Sequence, residues 1–241
     1  MVARLFRGHL LIIEQGSLSD HLPCFALLAH NAYDFPLAHL QRDALKWKAI
    51  TGFTMRDRVI RDEIHRDVLV PAHHARIIDT HEFQRLRNIQ QLSTCEFVFP
   101  SATHTRFAHS LGAYFLAGEL TSSLQEVQPG LLSDSDAELV QIGALLHDIG
   151  HPPYSHLLET PDVFATYHSH EHWGRILLES NESEIGKVLT DVLGDEGKQR
   201  LFALLDGRNE CNGVPIPPFM KEIIGSQLDV DRMDYMIRDQ A

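Results

Sequence analysis

A chain of 241 residues, 44% of them hydrophobic, can bury one sizeable core, and we expect one main domain with an appendage. The net charge of −12 argues against a broad basic face, so binding to nucleic acid or to an anionic membrane surface is not expected. Cys24, Cys95 and Cys211 form no CxxC pair and no apolar run approaches a membrane span, so we expect a cytoplasmic protein without a disulfide framework or a thiolate zinc site.

The amino-terminal part of the chain shows no sustained hydrophobic period. Residues 1–54 mix short apolar pieces with His, Pro and Gly, and we treat them as an N-terminal extension of unknown role. A charged stretch follows, in which apolar residues alternate with polar ones. It predicts a short strand pair or an extended lead-in near residues 56–70, built on Val59, Ile60, Ile64 and Val68.

Helical patterns dominate from there. Thr80 can cap a helix that runs to residue 92 and has an apolar face made of Phe83, Leu86, Ile89 and Leu92. The segment Phe107–Leu120 is apolar nearly all round, which is typical of a helix buried in a bundle. His109 is one of its few polar residues.

The next helix combines a possible capping box, Ser135-x-x-Glu138, with an apolar run that Gly150 would close in a left-handed cap. His147 and Asp148 would then occupy its last turn. Further helices are predicted from Ser169 onward, over 184–205 and over 225–240. In the last of these, four polar residues at i, i+3, i+4 and i+7 share one face, which is typical of a face toward solvent or toward a site: Asp231, Asp234, Tyr235 and Arg238.

Two imidazoles and two carboxylates are candidate ligands of one divalent metal ion: His109, His147, Asp148 and Asp231. These donors suit Mn, Fe, Mg or Zn, and such an ion lowers the pKa of coordinated water to around 7 in favourable sites. The dipole at the end of the helix before His147 would also favour a cation. In a chain with 16 histidines, a polar helix terminus explains an isolated His-Asp pair more readily than a metal site does.

A resemblance to a known family rests on five ordered segments: RIIDTHEFQRLRNIQQL at 76–92, VFPSATHTRFAHSLG at 98–112, ALLHDIGHPPYSH at 144–156, SHEHW at 169–173 and DVDRMDYMIRD at 229–239. Over residues 56–239 the chain resembles the HD-domain deoxynucleoside triphosphate triphosphohydrolases, which include bacterial dGTPases. The resemblance implies an all-α fold, with an HD-domain helical bundle over 55–241. It also implies cleavage of a dNTP, such as dGTP, into the deoxynucleoside and inorganic triphosphate.

The resemblance assigns roles residue by residue. It gives the metal ion the four ligands named above and leaves room for a second ion. His156 and His170 resemble the family's catalytic histidines, and Arg106 resembles an arginine that holds the triphosphate. The remaining residues of the nucleotide pocket would be Gln91, Arg232, Tyr235 and Asp239.

Regulation and assembly follow from weaker matches. Asp79, Gln84 and Arg87 match positions that bind an activating GTP or dNTP between subunits in some family members, which implies a homo-oligomer. A solvated helix face explains the same three residues. Arg66 stands where family members commonly have glycine, so the family's local turn is not expected to be fully preserved here. Family members also continue well beyond the last motif, so we expect this chain to lack the family's C-terminal region.

Two other functions stay open. One is an HD phosphohydrolase acting on a nucleoside monophosphate, a cyclic nucleotide or an alarmone, since a metal site alone does not choose among phosphoesters. The other is a nucleotide-binding module without catalytic activity.

Overall fold

The computed structural model describes residues 2–6, 9–13, 57–154 and 168–240. The chain divides into two compact units, Met1–Gly52 and Phe53–Ala241. In the first unit, strands β1 (Val2–Phe6) and β2 (His9–Ile13) pair antiparallel. All candidate site residues belong to the second unit.

The second unit begins with the predicted strand pair. Strands β3 (Arg58–Asp62) and β4 (Arg66–Val70) form an antiparallel hairpin in which Asp62 faces Arg66. Arg66 adopts a φ of 63°, the left-handed conformation that glycine takes most easily. The carboxylate of Asp62 accepts hydrogen bonds from the backbone N–H groups of Ile64 and His65, which closes the turn. Arginine therefore occupies a turn position that suits glycine.

Helices make up most of the rest, which confirms the all-α fold class with a short β lead-in. Within the described residues the α-helices are α1 (Ala72–Ile78), α2 (His81–Gln84), α3 (Arg106–Val127), α4 (Asp134–Leu146), α5 (His170–Glu179), α6 (Glu184–Leu205), α7 (Pro218–Ile224) and α8 (Val230–Arg238). A two-residue strand pair, β5 (Glu210–Cys211) with β6 (Val214–Pro215), separates α6 from α7. No helix in these ranges is both long and apolar enough to span a membrane.

Helix α3 is the central element of the bundle. It packs against α4 on one side and α8 on another, and apolar residues all round its axis are buried, as the sequence predicted. The side chain of Thr105 caps its first turn by accepting a hydrogen bond from the N–H of Ala108. This cap fixes the start of the helix, so that Arg106 and His109 lie in its first turns.

Three local predictions were wrong. The predicted helix over 80–92 ends at Gln84 and continues as a 3₁₀ turn, Arg85–Asn88, because Ile89 and Gln90 are drawn into extended contacts with Thr105 and Arg106. Ser133, not Ser135, caps α4, since its Oγ accepts from the N–H of Asp136.

The third wrong prediction concerns the end of α4, which stops at Leu146, so that His147 and Asp148 lie just beyond it. Gly150 has no left-handed backbone. It allows a close approach instead, because a Cβ there would lie 1.9 Å from the carbonyl oxygen of His170. Gly150 therefore brings the start of α5 against the residues that follow α4.

The later helices agree better with the sequence. Helix α6 has the predicted bounds and contains a kink at Gly194, where φ is 68°. The helix predicted over 225–240 is α8, and the side chain of Asp229 caps it by accepting from the N–H of Arg232. Asp231 is thereby placed in the first turn of α8, beside α3.

Candidate metal centre

The four candidate metal ligands meet at one place in the second unit. His109 comes from α3, His147 and Asp148 from the turn after α4, and Asp231 from α8. His109 Nε2 lies 3.0 Å from Asp231 Oδ1 and 3.7 Å from Asp148 Oδ2. His147 Nε2 lies 3.4 Å from Asp148 Oδ1 and 3.7 Å from Asp231 Oδ1. Two imidazoles and two carboxylates thus surround one small space.

The other ring nitrogens of the two histidines are already engaged. His109 Nδ1 donates to Asp234 Oδ2 at 2.8 Å, and His147 Nδ1 donates to the carbonyl oxygen of Ala144 at 2.7 Å. In the neutral ring each Nε2 is then an unprotonated acceptor. Both Nε2 atoms are buried and, within the described residues, have no hydrogen-bond partner.

Such an arrangement fits a bound cation. Two nitrogen lone pairs that face carboxylate oxygens repel them unless a positive charge lies between, and neutral imidazole and carboxylate are common ligands of divalent ions. His109, His147 and Asp148 also form a group whose ligand atoms all lie within 4.8 Å of one another. The residues present therefore fit a divalent metal ion.

The electrostatics of the cluster show the same preference for positive charge. Burial lowers the pKa of His109, but the nearby carboxylates of Asp231 and Asp234 outweigh it and raise this pKa to about 9. Burial raises the pKa of Asp148, yet the neighbouring His147, His151 and Arg106 bring it well below its ordinary range. A proton or a metal ion can supply the charge that these carboxylates stabilise.

Arg106 lies directly against the candidate ligand Asp148. Its guanidinium donates to Asp148 Oδ2, and its side chain is only 3% exposed. The other oxygen, Asp148 Oδ1, faces His147 at 3.4 Å and His151 at 3.2 Å. The arginine that the sequence predicted as a triphosphate ligand therefore also orients a candidate metal ligand.

A buried carboxylate, Asp234, supports His109 from behind. It accepts from His109 Nδ1 at 2.8 Å, from His65 Nε2 at 2.7 Å and from Arg238 at 2.9 Å. Arg238 in turn pairs with Asp62 at 3.1 Å, which connects α8 to the β3–β4 hairpin. A carboxylate behind a metal-binding histidine fixes the ring and raises its basicity.

Sequence reasoning did not assign Asp234, His65 or Arg238 to the site. Asp234 and Arg238 could have been found, because they lie on the polar face of the last helix together with Asp231. His65 is 169 residues from Asp234 and follows no pattern with it. Its contact with the site depends on tertiary structure alone.

Two further histidines flank the cluster. The rings of His151 and His170 stack with their centroids 3.7 Å apart, and both side chains group with Asp148 as potential ligands of an ion. Burial lowers the pKa of His151 to about 4, although Asp148 acts against this. His170 was predicted as a catalytic residue, whereas His151 was missed despite standing three residues after Asp148. The predicted catalytic His156 lies outside the described residues.

The predicted nucleotide-pocket residues are less closely grouped. The backbone N–H of Gln91 donates to the carbonyl of His104, and His104 Nε2 lies 3.4 Å from Asp239 Oδ1, so these three residues adjoin. Tyr235 is half-buried and Arg232 is exposed, both on α8. His104 links two predicted pocket residues and was itself not predicted.

The three residues predicted to bind an activating nucleotide have local contacts. Asp79 accepts two hydrogen bonds from the guanidinium of Arg58, at 2.5 and 2.6 Å. Gln84 accepts from Arg87, whose guanidinium lies 3.6 Å from the centroid of the Phe107 ring. They occupy neighbouring surface positions, and their regulatory role stays a prediction.

Comparison with known proteins gives a family match that covers the site. The HD-domain family model matches residues 106–237, the span that contains all four candidate metal ligands. The chain is similar to deoxynucleoside triphosphate triphosphohydrolase SAMHD1 of Gallus gallus, with 47% identity over 210 residues. It is also similar to an uncharacterized protein of Methanocaldococcus jannaschii, with 38% identity over 182 residues. Each similarity covers 76% of this chain, which spans about a third (33%) of the length of each relative.

A solved structure supports the same fold. A phosphohydrolase from Bacteroides thetaiotaomicron superposes with a TM-score of 0.64 at 32% sequence identity. The similarity covers 76% of this chain and 42% of that one.

Proposed function

The chain belongs to the HD-domain family, and from this premise we propose that it is a metal-dependent phosphohydrolase that cleaves a dNTP into the deoxynucleoside and inorganic triphosphate. The observation on which this rests most is the pair of buried Nε2 atoms, on His109 and His147, that face two carboxylates. The names of the SAMHD1 relatives and of the similar solved phosphohydrolase favour this chemistry.

In this proposal His109, His147, Asp148 and Asp231 hold one divalent ion, Mn, Fe, Mg or Zn. When bound, the ion would act as a Lewis acid toward a phosphoryl oxygen and lower the pKa of water. Asp234 and the carbonyl of Ala144 fix the two imidazole tautomers, and Arg106 fixes one carboxylate. The neighbouring group Asp148, His151 and His170 could hold a second ion only in place of the proton transfer by these two histidines.

The protein's own residues then handle the protons. Water adds to the α-phosphorus, the bond from phosphorus to the 5′ oxygen breaks, and the 5′ oxygen takes up a proton. His151 can accept the proton of the attacking water, because burial lowers its pKa and leaves the ring neutral at pH 7. His170 is stacked on it and can donate to the leaving oxygen, a role we also assign to His156.

The nucleotide would extend from the metal centre toward α8. Arg106 and Arg232 supply positive charge for the triphosphate, which a protein of net charge −12 must concentrate locally. Gln91 and Asp239, which adjoin through His104, would bind the 3′-hydroxyl. The ring of Tyr235 would crowd out a ribose 2′-hydroxyl.

Product identification tests the reaction. Incubation of the protein with dGTP and Mn²⁺, followed by phosphorus NMR, should show inorganic triphosphate. Release of only orthophosphate or pyrophosphate would contradict cleavage at the α-phosphorus. Faster turnover of a nucleoside monophosphate, a cyclic nucleotide or an alarmone would instead indicate another HD phosphohydrolase. Tight dNTP binding without turnover, at full metal content, would indicate a nucleotide-binding module.

The ligand assignment needs its own test. Asp148→Ala should lose bound metal and activity together, as measured by metal analysis of the purified protein. Asp67→Ala is a suitable control, because this aspartate is exposed on β4 and pairs only with exposed Arg61 among the described residues. Full metal retention in Asp148→Ala would refute the assignment.

We also propose that GTP or a dNTP activates a homo-oligomer through Asp79, Gln84 and Arg87. Gel filtration with and without GTP should show a change in assembly, accompanied by a change in dGTP turnover. Identical elution and turnover would reject the regulatory site and leave the catalytic proposal intact.

A further inference from the structure

Another group of potential metal ligands lies between α1 and α4, and it shares no residue with the candidate metal centre. His73 and His74 are adjacent on α1, and Glu138 is in the amino-terminal half of α4. Their ligand atoms lie within 4.8 Å of one another. No role in the proposed hydrolysis uses any of them.

Both imidazoles converge on one oxygen. His73 Nε2 lies 2.8 Å and His74 Nε2 3.1 Å from Glu138 Oε1. Adjacent residues on a helix normally point about 100° apart, yet the two ring centroids here are only 4.3 Å apart. Tetrahedral zinc with bonds of about 2.1 Å keeps its ligand atoms roughly 3.4 Å apart. A small outward movement of His73, whose side chain is 50% exposed, would open this space.

The buried histidine is held from behind, as metal-binding histidines usually are. His74 is 2% exposed and its Nδ1 lies 2.8 Å from the hydroxyl of Tyr114, which is also 2% exposed. A phenol hydroxyl can donate or accept. When His74 Nε2 carries the proton and donates to Glu138, the Tyr114 hydroxyl can donate to Nδ1. When Nε2 is an unprotonated metal ligand, the same hydroxyl can accept from Nδ1.

The charge state of the group also suits a metal. Burial lowers the pKa of His74, so this ring is neutral at pH 7 and does not need to lose a proton to bind an ion. Hydrogen bonds from His73 and His74 lower the pKa of Glu138 to about 2, so its carboxylate is ionised. Two imidazoles and one carboxylate match the ligand set of open zinc sites, which keep a fourth position for water.

We propose that His73, His74 and Glu138 form a second, partly exposed metal site for Zn²⁺, separate from the HD centre. The exposed side of His73 and Glu138 leaves the fourth position open to solvent. An ion here joins α1 to α4, the helix that His147 and Asp148 directly follow. The site is thus expected to stabilise the helix that positions two of the four candidate metal ligands.

Zinc stoichiometry tests the proposal, with the protein stripped by chelator and titrated with Zn²⁺. The wild-type protein should bind zinc at both centres, Asp148→Ala should bind it at this site alone, and Asp148→Ala combined with His73→Ala should bind none. Loss of a residue that only hydrogen-bonds to a metal ligand lowers metal affinity about 10- to 100-fold. His73→Ala removes a ligand itself, so it should lower the zinc affinity of this site at least about 10-fold. His81→Ala, which removes another exposed helical histidine, should leave both sites intact.

Two further variants separate metal binding from ordinary packing. Glu138→Gln keeps the size of the side chain and should abolish this site while leaving the HD centre loaded. Tyr114→Phe keeps the ring and should weaken zinc binding about 10-fold or more by removing the partner of His74. Zinc binding of wild-type affinity in His73→Ala, or no zinc binding in folded Asp148→Ala, would overturn the proposal. Neither result would bear on the HD centre.

Discussion

At the scale of single residues, the candidate metal centre depends on side chains that are not themselves candidate ligands. Asp234 accepts hydrogen bonds from three groups and thereby fixes His109 in the tautomer that presents Nε2. Burial raises its pKa, but the bonds from His109, His65 and Arg238 outweigh this and keep it ionised. Substitution of Asp234 should therefore disturb the candidate ligand His109 without removing any candidate ligand.

Asp234→Asn tests this dependence. The amide keeps the shape but removes the charge that His109 and Arg238 need, so metal affinity should fall about 10- to 100-fold. The free energy of unfolding should fall by about 3 kcal/mol, because a buried cation loses a partner. Metal titration and urea unfolding measure the two effects. Asp239→Asn, at the exposed end of the same helix, should change neither, and equal effects in the two variants would contradict the assignment.

His104 should make stability depend on pH. Burial lowers its pKa below the ordinary value of 6.5, with Asp239 acting in the opposite direction. Because the unfolded chain takes up this proton more readily, the contribution to stability is present above about pH 6.5 and is lost as the pH falls through the folded pKa. Urea unfolding of His104→Gln between pH 7.5 and 5 should show a flatter acid limb than wild type. If the free energy of unfolding had the same pH dependence in His104→Gln and in wild type, the role of His104 would be refuted.

At the scale of elements, tight backbone contacts position the site. Gly150 meets the first turns of α5 so closely that a Cβ would lie 1.9 Å from the carbonyl oxygen of His170 and 2.2 Å from the N of Gly174. Such distances cannot be relieved by rotating a side chain. The stacking of His151 on His170 follows from this approach.

Gly150→Ala should therefore move α5 and destabilise the fold by about 1 to 3 kcal/mol, the range for overpacked positions. Urea unfolding of the protein without ligand measures this change in the free energy of unfolding. Gly225→Ala is the matched control, because a Cβ there meets nothing within 4 Å. That variant should change the free energy of unfolding by less than about 0.5 kcal/mol. Similar losses in both variants would contradict a steric role for Gly150.

The sequence predicted elements well where local pattern and tertiary packing agree. Helices α3 and α6 have apolar residues that are buried as their patterns predict. The β3–β4 hairpin forms where it was predicted, but Val59 is exposed and the charged Asp62 is buried. The segment after Gln84 also has a helical pattern, and Leu86 and Ile89 are buried, but a bridge between Gln90 and Thr105 pulls the chain out of the helix. Periodicity contains no information about such a distant partner. For the same reason His65 and His104 could not be placed near the site.

At the scale of the whole molecule, metal binding should be coupled to folding. The candidate ligands come from three separate segments, so an ion that binds them stabilises only the folded chain. At a free Mn²⁺ concentration 100-fold above the Kd, the free energy of unfolding should rise by about 3 kcal/mol. Thermal unfolding with Mn²⁺ and with EDTA measures this difference. Asp231→Asn should remove most of it, and an undiminished metal effect in that variant would argue against the proposed ligand.

The pairing of His109 with Asp234 joins positions 125 residues apart, and that of Asp62 with Arg238 joins positions 176 apart. Chain growth at about 5–20 residues per second means that α3 exists for on the order of ten seconds before α8 is made. During this interval His109 has neither of its aspartate partners from α8. Because contacts of such long range also form late in folding, metal acquisition should be among the last steps in the maturation of the protein.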